Sequence, residues 1–525
     1  MAAIVDAPTL KSWLSDGGEI ALLDVREHGQ FGESHLFFAI PLPYSRLELH
    51  LPSFAPNRDV RVVLCDGGDG VAARAAARAA ALGYRNVHVL AGGVAAWERA
   101  GYTLYAGVNV PSKTFGELIE HRRHTPRVTA LELQAMREAK EDMVIVDGRP
   151  FTEYRKMNIP DGICCPNGEL ALRIRDIAPD PKTKIVVNCA GRTRSIIGAQ
   201  ILIDFGIPNP VFALENGTQG WFLAGLDLER GASRRYRDDA GNAGGDLARR
   251  ARALAAKHGA AFVTAAEAHA WLADPARTTY LLDVRSPEEF GKNSIPGFAH
   301  APGGQLIQAT DQWVGVKGAR LVLVDAEGVR APVVAAWLRQ LGQEACVLEG
   351  GAAAAARLDW QRPTRAPAVQ VPQSMSVRDV ADAVKRGSAE IIDLRPSMAY
   401  RTEHIEQAVW SIRPRVAAVA DPGKVIVLVA DEPGIAALAA RDLAEAGCGD
   451  VRLLEGGHEA WKAAGLPVTA TPTHPTDADC IDFLFFTHAR HGAGAEAEAA
   501  ARQYLAWEIG LLDQLDDQER GAFRI

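Results

Sequence analysis

Several things this sequence has little of narrow its reading at once. Cysteine is sparse: seven in 525 residues, odd in number and irregularly spaced. That excludes a disulfide-stapled scaffold and leads us to expect reduced thiols and a cytoplasmic protein. No apolar run approaches the roughly 20 residues of a membrane span, so no membrane partner is expected. The opening Met1-Ala2-Ala3-Ile4-Val5-Asp6 has no basic stretch followed by a long apolar one, and no secretory signal is expected. Positive charge is not in excess either. A formal net charge of -8 gives no basis for a nucleic-acid partner. Near the C-terminus, Cys480, Asp482, His488 and His491 carry donor atoms at a spacing that matches no zinc pattern, so neither metal nor cofactor is expected. What remains is ordinary globular composition, 48% hydrophobic and 23% charged, over a length that calls for several domains.

The order of the residues is far more specific than their amounts, because one unit recurs four times. In the last three copies a helix start is readable: Thr129-x-x-Glu132 and Thr264-x-x-Glu267 fit a capping box, and Ser376-x-x-Asp379 is a weaker version. A short apolar strand follows in every copy and ends in Asp24-Val25-Arg26, Asp147-Gly148-Arg149, Asp283-Val284-Arg285 or Asp393-Leu394-Arg395. A second strand then leads through a loop into a helix that stops at Gly83, Gly206, Gly342 or Gly447, as C-cap glycines do. A third strand ends in a glycine turn, with Trp97, Trp221 and Trp461 a few residues on and Ala355 in the third copy. Alternating strands and helices imply parallel sheets covered on both faces. The expected fold class is α/β: four tandem domains, each a mainly parallel sheet flanked by helices, plus a helical C-terminal tail. The expected boundaries are 1-106, 107-230, a linker at 231-254, then 255-362, 373-470 and the tail at 471-525. Ala495 to Leu515 is the helical part of that tail, with an apolar side expected to dock on a neighbouring domain.

Only the second copy has a loop equipped for chemistry: Cys189-Ala190-Gly191-Arg192-Thr193-Arg194-Ser195, after Ile185-Val186-Val187. The thiolate is the reactive form of cysteine, and a free thiol titrates near ~8.5, so a reactive site must favour the anion. Loop N–H groups converging on the sulfur, a helix N-terminus and two guanidinium groups would all act in that direction. Gly191 permits the tight turn. Arg194 is expected to orient the loop or a bound anion, and Arg192 to face the entrance.

The Asp-x-Arg strand, the cysteine loop before a helix and the Leu-Glu-Gly-Gly ending with its tryptophan resemble the rhodanese (thiosulfate sulfurtransferase) family over nearly the whole chain to about residue 470. More narrowly the chain is similar to bacterial sulfurtransferases with four tandem rhodanese domains. The resemblance implies double displacement. Cys189 would take sulfur from a small anionic donor such as thiosulfate, carry it as a persulfide and pass it to a thiol, cyanide or protein acceptor. Four residues separate Cys189 from Arg194. Phosphatase and arsenate reductase loops of this fold resemble Cys-x5-Arg, so the shorter loop favours sulfur. The loop is also unlike the Cys-Gly-Ser-Gly-Val-Thr pattern of mercaptopyruvate enzymes. A rival reading is a sulfur-relay or binding protein whose silent domains recruit a partner. A homodimer is among the assemblies the sequence allows.

Aligned on the helix-ending glycines, the position of Cys189 is held by Asp66, Asp325 and Ala430, none of which can carry a persulfide. Domains one, three and four are therefore expected to be inactive, although Arg330 matches Arg194 and suggests a retained anion cradle in the third. Cys65 sits one residue before Asp66, among acids that oppose a thiolate, and reads as a core thiol. Asp147 and Arg149 read as a structural pair near the site, since the pair recurs in copies without the cysteine. Cys164 and Cys165 read as core. In the family the segment after this strand borders the pocket, which makes Asn167, Glu169, Arg173 and Arg175 candidates for its rim.

Overall fold

The computed structural model describes residues 2–238, 245–360, 369–488 and 494–525. Four five-stranded sheets follow one another along the chain, and all share one strand order. In the second domain the order across the sheet is Arg127–Val128, Val211–Leu214, Lys184–Asn188, Met143–Asp147, Ile163–Cys164, with every pairing parallel. The central strands are buried along most of their length, as near-continuous apolar runs such as Ile185-Val186-Val187 require when both faces are covered. Thr129 and Thr264 close their capping boxes, and Ser376 accepts from the Asp379 N–H.

The Asp-x-Arg marker has one geometry in all four domains. Arg149 Nε and Nη2 clasp the Asp147 carboxylate, and Nη2 also donates to the Met157 carbonyl at 2.6 Å. Arg26, Arg285 and Arg395 repeat the same set on Ser34, Asn293 and Glu403. The guanidinium thus ties the strand end to the next turn, and its recurrence in all domains identifies a folding device. The buried tryptophans do likewise: Trp97, Trp221 and Trp461 donate to the carbonyls of Thr103, Asp227 and Pro467. In the third domain Trp360, further along the chain, fills the gap left at Ala355 and donates to the Ala355 carbonyl.

The joins are tighter than the sequence suggests. The stretch 231-254, read as linker, is divided between two domains. Ala232 and Tyr236 are buried on the second. Gly245–Lys257 is a helix on the third, burying Leu247, Ala251, Leu254 and Ala255. Those four lie on one helical stripe that the surrounding Gly, Arg and Asp obscure in the sequence. A single apolar cluster runs through the first three domains, from Ala21 by Phe115 and Ile197 to Trp337. The helix Val110–Arg123, between the first and second domains, is its hub. The fourth domain has its own clusters and meets the first through a buried ionic network in which Arg413 binds Glu48 and Asp442. The tail forms the helices Gly494–Ile509, Leu511–Gln514 and Asp517–Arg520, and Leu511 and Leu515 pack against Phe37, Tyr105, Val110 and Leu118. Of the four tail donors, His491 lies outside the described residues. Asp482 accepts the Ser397 N–H at 2.8 Å, and Cys480 is buried.

Candidate active site

The central strand Lys184–Asn188 carries Cys189 at its carboxyl end, and helix Thr193–Asp204 starts four residues later. The neighbouring glycine turn clamps the loop: Thr218 and Gln219 N–H groups donate to the carbonyls of Cys189 and Ala190 at 2.8 and 3.1 Å. This contact explains Gly217. Its φ is +54°, and a Cβ there would lie 2.3 Å from the Cys189 carbonyl oxygen. Beneath the loop, Asn188 Nδ2 donates to the Asp147 carboxylate at 2.9 Å, which links the structural Asp147–Arg149 pair to the strand that carries the cysteine. Cys189 is 2% exposed. Its thiol lies 3.6 Å from the Ser195 hydroxyl, which in turn donates to the Arg192 carbonyl at 2.8 Å.

The two loop arginines have separate roles. Arg192 does not face the entrance. It is buried, with Glu117 bound bidentately at 2.8 Å and Glu120 bound as well, both from helix Val110–Arg123. The linking helix, rather than solvent, supplied its partners. Arg194 is bound bidentately by Glu153 at 2.9 and 2.8 Å and reaches Gln305 of the third domain at 3.3 Å. Burial alone would favour the neutral guanidine, but Glu153 outweighs it, and Arg194 is held protonated above its ordinary range. Burial likewise works against ionisation of Glu153, and Arg194 overcomes it, so that the carboxyl titrates below its usual value.

The expected rim is not at the cavity. Asn167 is buried behind the loop and donates to the Arg194 carbonyl at 2.8 Å, which makes it a support for the loop. Glu169 and Arg173 pair with each other in the interior. Glu169 also binds Arg330 of the third domain at 3.0 Å. Arg175 is exposed and pairs with Asp246. The third domain packs over this segment so closely that a Cβ on Gly168 would lie 2.6 Å from the Gly304 N–H nitrogen, and that contact displaces the rim.

The cavity that does border Cys189 has a volume of about 260 Å³ and is built from four parts of the chain. Cys189 to Arg194 form the floor, Lys113 comes from the linking helix, Gln305 and Gln308 from the third domain, and Tyr504, Trp507 and Glu508 from the tail. Glu508 accepts from the Thr193 hydroxyl at 2.8 Å and from Lys113 at 3.3 Å. Burial pushes its carboxyl up, but Lys113, Thr193 and Arg192 prevail, and it titrates below its ordinary value. Lys113, Glu117, Glu153 and Glu508 were not singled out from the sequence. Glu508 left a trace there. It shares a helical face with Ala497, Ala501, Tyr504 and Leu505, and a carboxylate in an apolar stripe marks a buried charge with a partner elsewhere.

The sibling loops differ in kind. Asp325 turns its carboxylate into its own loop and accepts the N–H groups of Gly328, Val329 and Ala331 at 3.1, 2.8 and 3.1 Å. Asp66 does the same with Gly68 and Ala72, both at 2.9 Å. The third-domain cradle is therefore filled from within, and the two terminal nitrogens of its Arg330 are engaged by Glu169, Glu289 and Glu327. Cys65 is completely buried, and burial, with Asp24 adding to it, pushes its thiol well above the usual range. Burial raises Cys164 and Cys165 too.

Comparison with known proteins gives three findings. The model of the Rhodanese-like domain matches residues 6–100, 129–224, 264–357 and 376–464. A crystal structure of a thiosulfate sulfurtransferase from Pseudomonas aeruginosa is 40% identical, covers 100% of this chain and 99% of its own, and superposes with a TM-score of 0.91. The HTH-type transcriptional regulator Rv0324 of Mycobacterium tuberculosis (strain ATCC 25618 / H37Rv) is 35% identical over 105 residues, which are 20% of this chain and 45% of that protein. Among the described residues no helix is long and apolar enough to cross a membrane.

Proposed function

The chain belongs to the rhodanese family, and from that membership and its cysteine loop we propose a sulfurtransferase that works through a persulfide on Cys189. The Cys189 thiolate attacks the outer sulfur of thiosulfate. The sulfur–sulfur bond of the donor breaks, and sulfite leaves with the electron pair. Arg194, fixed by Glu153, lines the same cavity and supplies positive charge beside the anionic donor. An acceptor thiolate or cyanide then attacks the outer sulfur of the persulfide, and the Cys189 thiolate is restored. The observation that carries this reading is the position of Cys189 at the floor of a cavity lined by Arg192, Thr193 and Arg194. The full-length likeness to a thiosulfate sulfurtransferase supports the donor class.

Domains one, three and four carry no sulfur in this scheme. Asp66 and Asp325 bind their own loops, and Ala430 has no nucleophilic atom. The cavity, about 260 Å³, has room for a small acceptor. Incubation with thiosulfate followed by peptide mass spectrometry tests the reading. Cys189 should gain one sulfur atom, Cys65 none, and Cys189→Ser should abolish both loading and turnover. A Cys189 that alkylates freely but gains no sulfur would overturn it.

A further inference from the structure

The two carboxylate oxygens of Glu508 are used unequally. The side chain is almost wholly buried, at 1% exposure. Lys113 Nζ and Thr193 Oγ1 both donate to Oε1, at 3.3 and 2.8 Å. Oε2 is buried with no hydrogen-bond partner. It faces the cysteine loop, since a Cβ placed on Gly191 would stand 3.1 Å away. The residue lines the same cavity as Cys189. A buried, ionised oxygen without a donor is costly, and a ligand that brings a charged donor to it gains correspondingly.

The other charges around the loop are already satisfied. Arg192 is matched by Glu117 and Glu120, and Arg194 by Glu153. Gln308 Oε1 in the same wall also lacks a hydrogen-bond partner, but it belongs to a neutral amide, whereas Oε2 belongs to a carboxylate and so favours a cationic group. The donor thiosulfate is an anion and cannot supply one, so the group must arrive with the acceptor. The volume of about 260 Å³ has room for an acceptor of small-molecule size.

We propose that Glu508 Oε2 binds a primary ammonium group on the acceptor, so that small aminothiols are the preferred recipients of the sulfur held by Cys189. The proposal rests on the persulfide reading above. In the step it describes, the aminothiol's thiolate forms a bond to the outer sulfur. The bond from that sulfur to Cys189 Sγ breaks, its electron pair returns to Sγ, and the acceptor leaves as a persulfide. Glu508 takes no part in the bond changes and serves as a specificity residue.

The test starts from full-length protein loaded with thiosulfate, with loading verified by mass. The kcat/KM for removal of the sulfur is compared for cysteamine and 2-mercaptoethanol, which differ in the ammonium group. Their ratio should fall about tenfold or more in Glu508→Gln, the range expected when a charge-assisted hydrogen bond is weakened. A ratio unchanged in loaded Glu508→Gln overturns the ammonium site while leaving the persulfide intact. If Cys189 takes no sulfur at all, the earlier reading fails and this one with it. Unaltered protein gives an independent check. S-methylcysteamine, which keeps the ammonium but lacks the thiol, should compete with cysteamine, and ethyl methyl sulfide should not. Equal behaviour of the two sulfides also overturns the proposal.

Discussion

Gly217 shows how much of this site is set by a residue that never meets a substrate. It holds a positive φ and lies against the backbone of Cys189, so that a Cβ there would stand 2.3 Å from the Cys189 oxygen and 2.8 Å from the Gly191 oxygen. Gly217→Ala must therefore push on two carbonyls of the loop at once, as well as strain its own backbone. The expected outcome is a loss of stability of about 1–3 kcal/mol, by the usual cost of strained backbone. Sulfur transfer should fall more than tenfold, because the loop carrying Cys189 moves. Thermal melting and a thiosulfate assay check the pair. A variant that melts lower yet keeps its full rate would show that the glycine supports the fold alone. The glycine was legible in the sequence as part of a recurring turn, but its contact with the cysteine was not. Nothing in a local pattern tells which loop a turn will touch.

At the scale of elements, strands, capping boxes and the Asp-x-Arg clasp were readable because each depends on neighbours in sequence. The repeat then supplied the fold. Lys113, Glu117 and Glu153 escaped notice because their partners Glu508, Arg192 and Arg194 lie 395, 75 and 41 positions away in the chain. The expected rim at Asn167 to Arg175 failed for the related reason that another domain covers it. The tail was foreseen as a docked helix and turned out to be a wall of the cavity. It is held largely by Leu511, fully buried between the first domain and the linking helix. Leu511→Ala should cost about 2–5 kcal/mol, as large-to-small core substitutions do. If the tail opens before the rest of the molecule unfolds, amide exchange over residues 494–509 should speed up while that of strand Lys184–Asn188 does not. Uniform acceleration would mean that tail and catalytic domain open together.

Across the whole molecule, the second and third domains meet at a buried charge cluster centred on Arg330, with Glu169 on one side and Glu289 and Glu327 on the other. Burial works against the Glu289 carboxylate, but Arg330 prevails and brings it down to about 2. Its depressed value fixes the sign of the pH effect. The stabilisation is complete above the ordinary carboxylate value and is lost as pH falls through about 2. Wild type should therefore melt above Glu289→Gln at neutral pH, by up to about 1 kcal/mol given the partial exposure of the pair. The gap should close as pH is lowered from about 4.5 toward 2, and a gap independent of pH would contradict the assignment.

At the same scale the loops of the first and third domains differ in kind from that of the second. With aspartate at positions 66 and 325, where the second domain has cysteine, each loop holds an anion of its own, bound by N–H groups at 2.8 to 3.1 Å. A working site must stand vacant between turnovers, whereas these are occupied for the lifetime of the fold. Restoring a thiol there would strip two or three amides of their acceptor, at about 1–3 kcal/mol for each left unmade. The aspartate thus relieves the frustration of an empty anion hole, and a thiol in its place would restore it. Two of the four loops thus carry their anion within the chain, and what they contribute is the packing and ion pairs that hold the second domain's cavity walls in place.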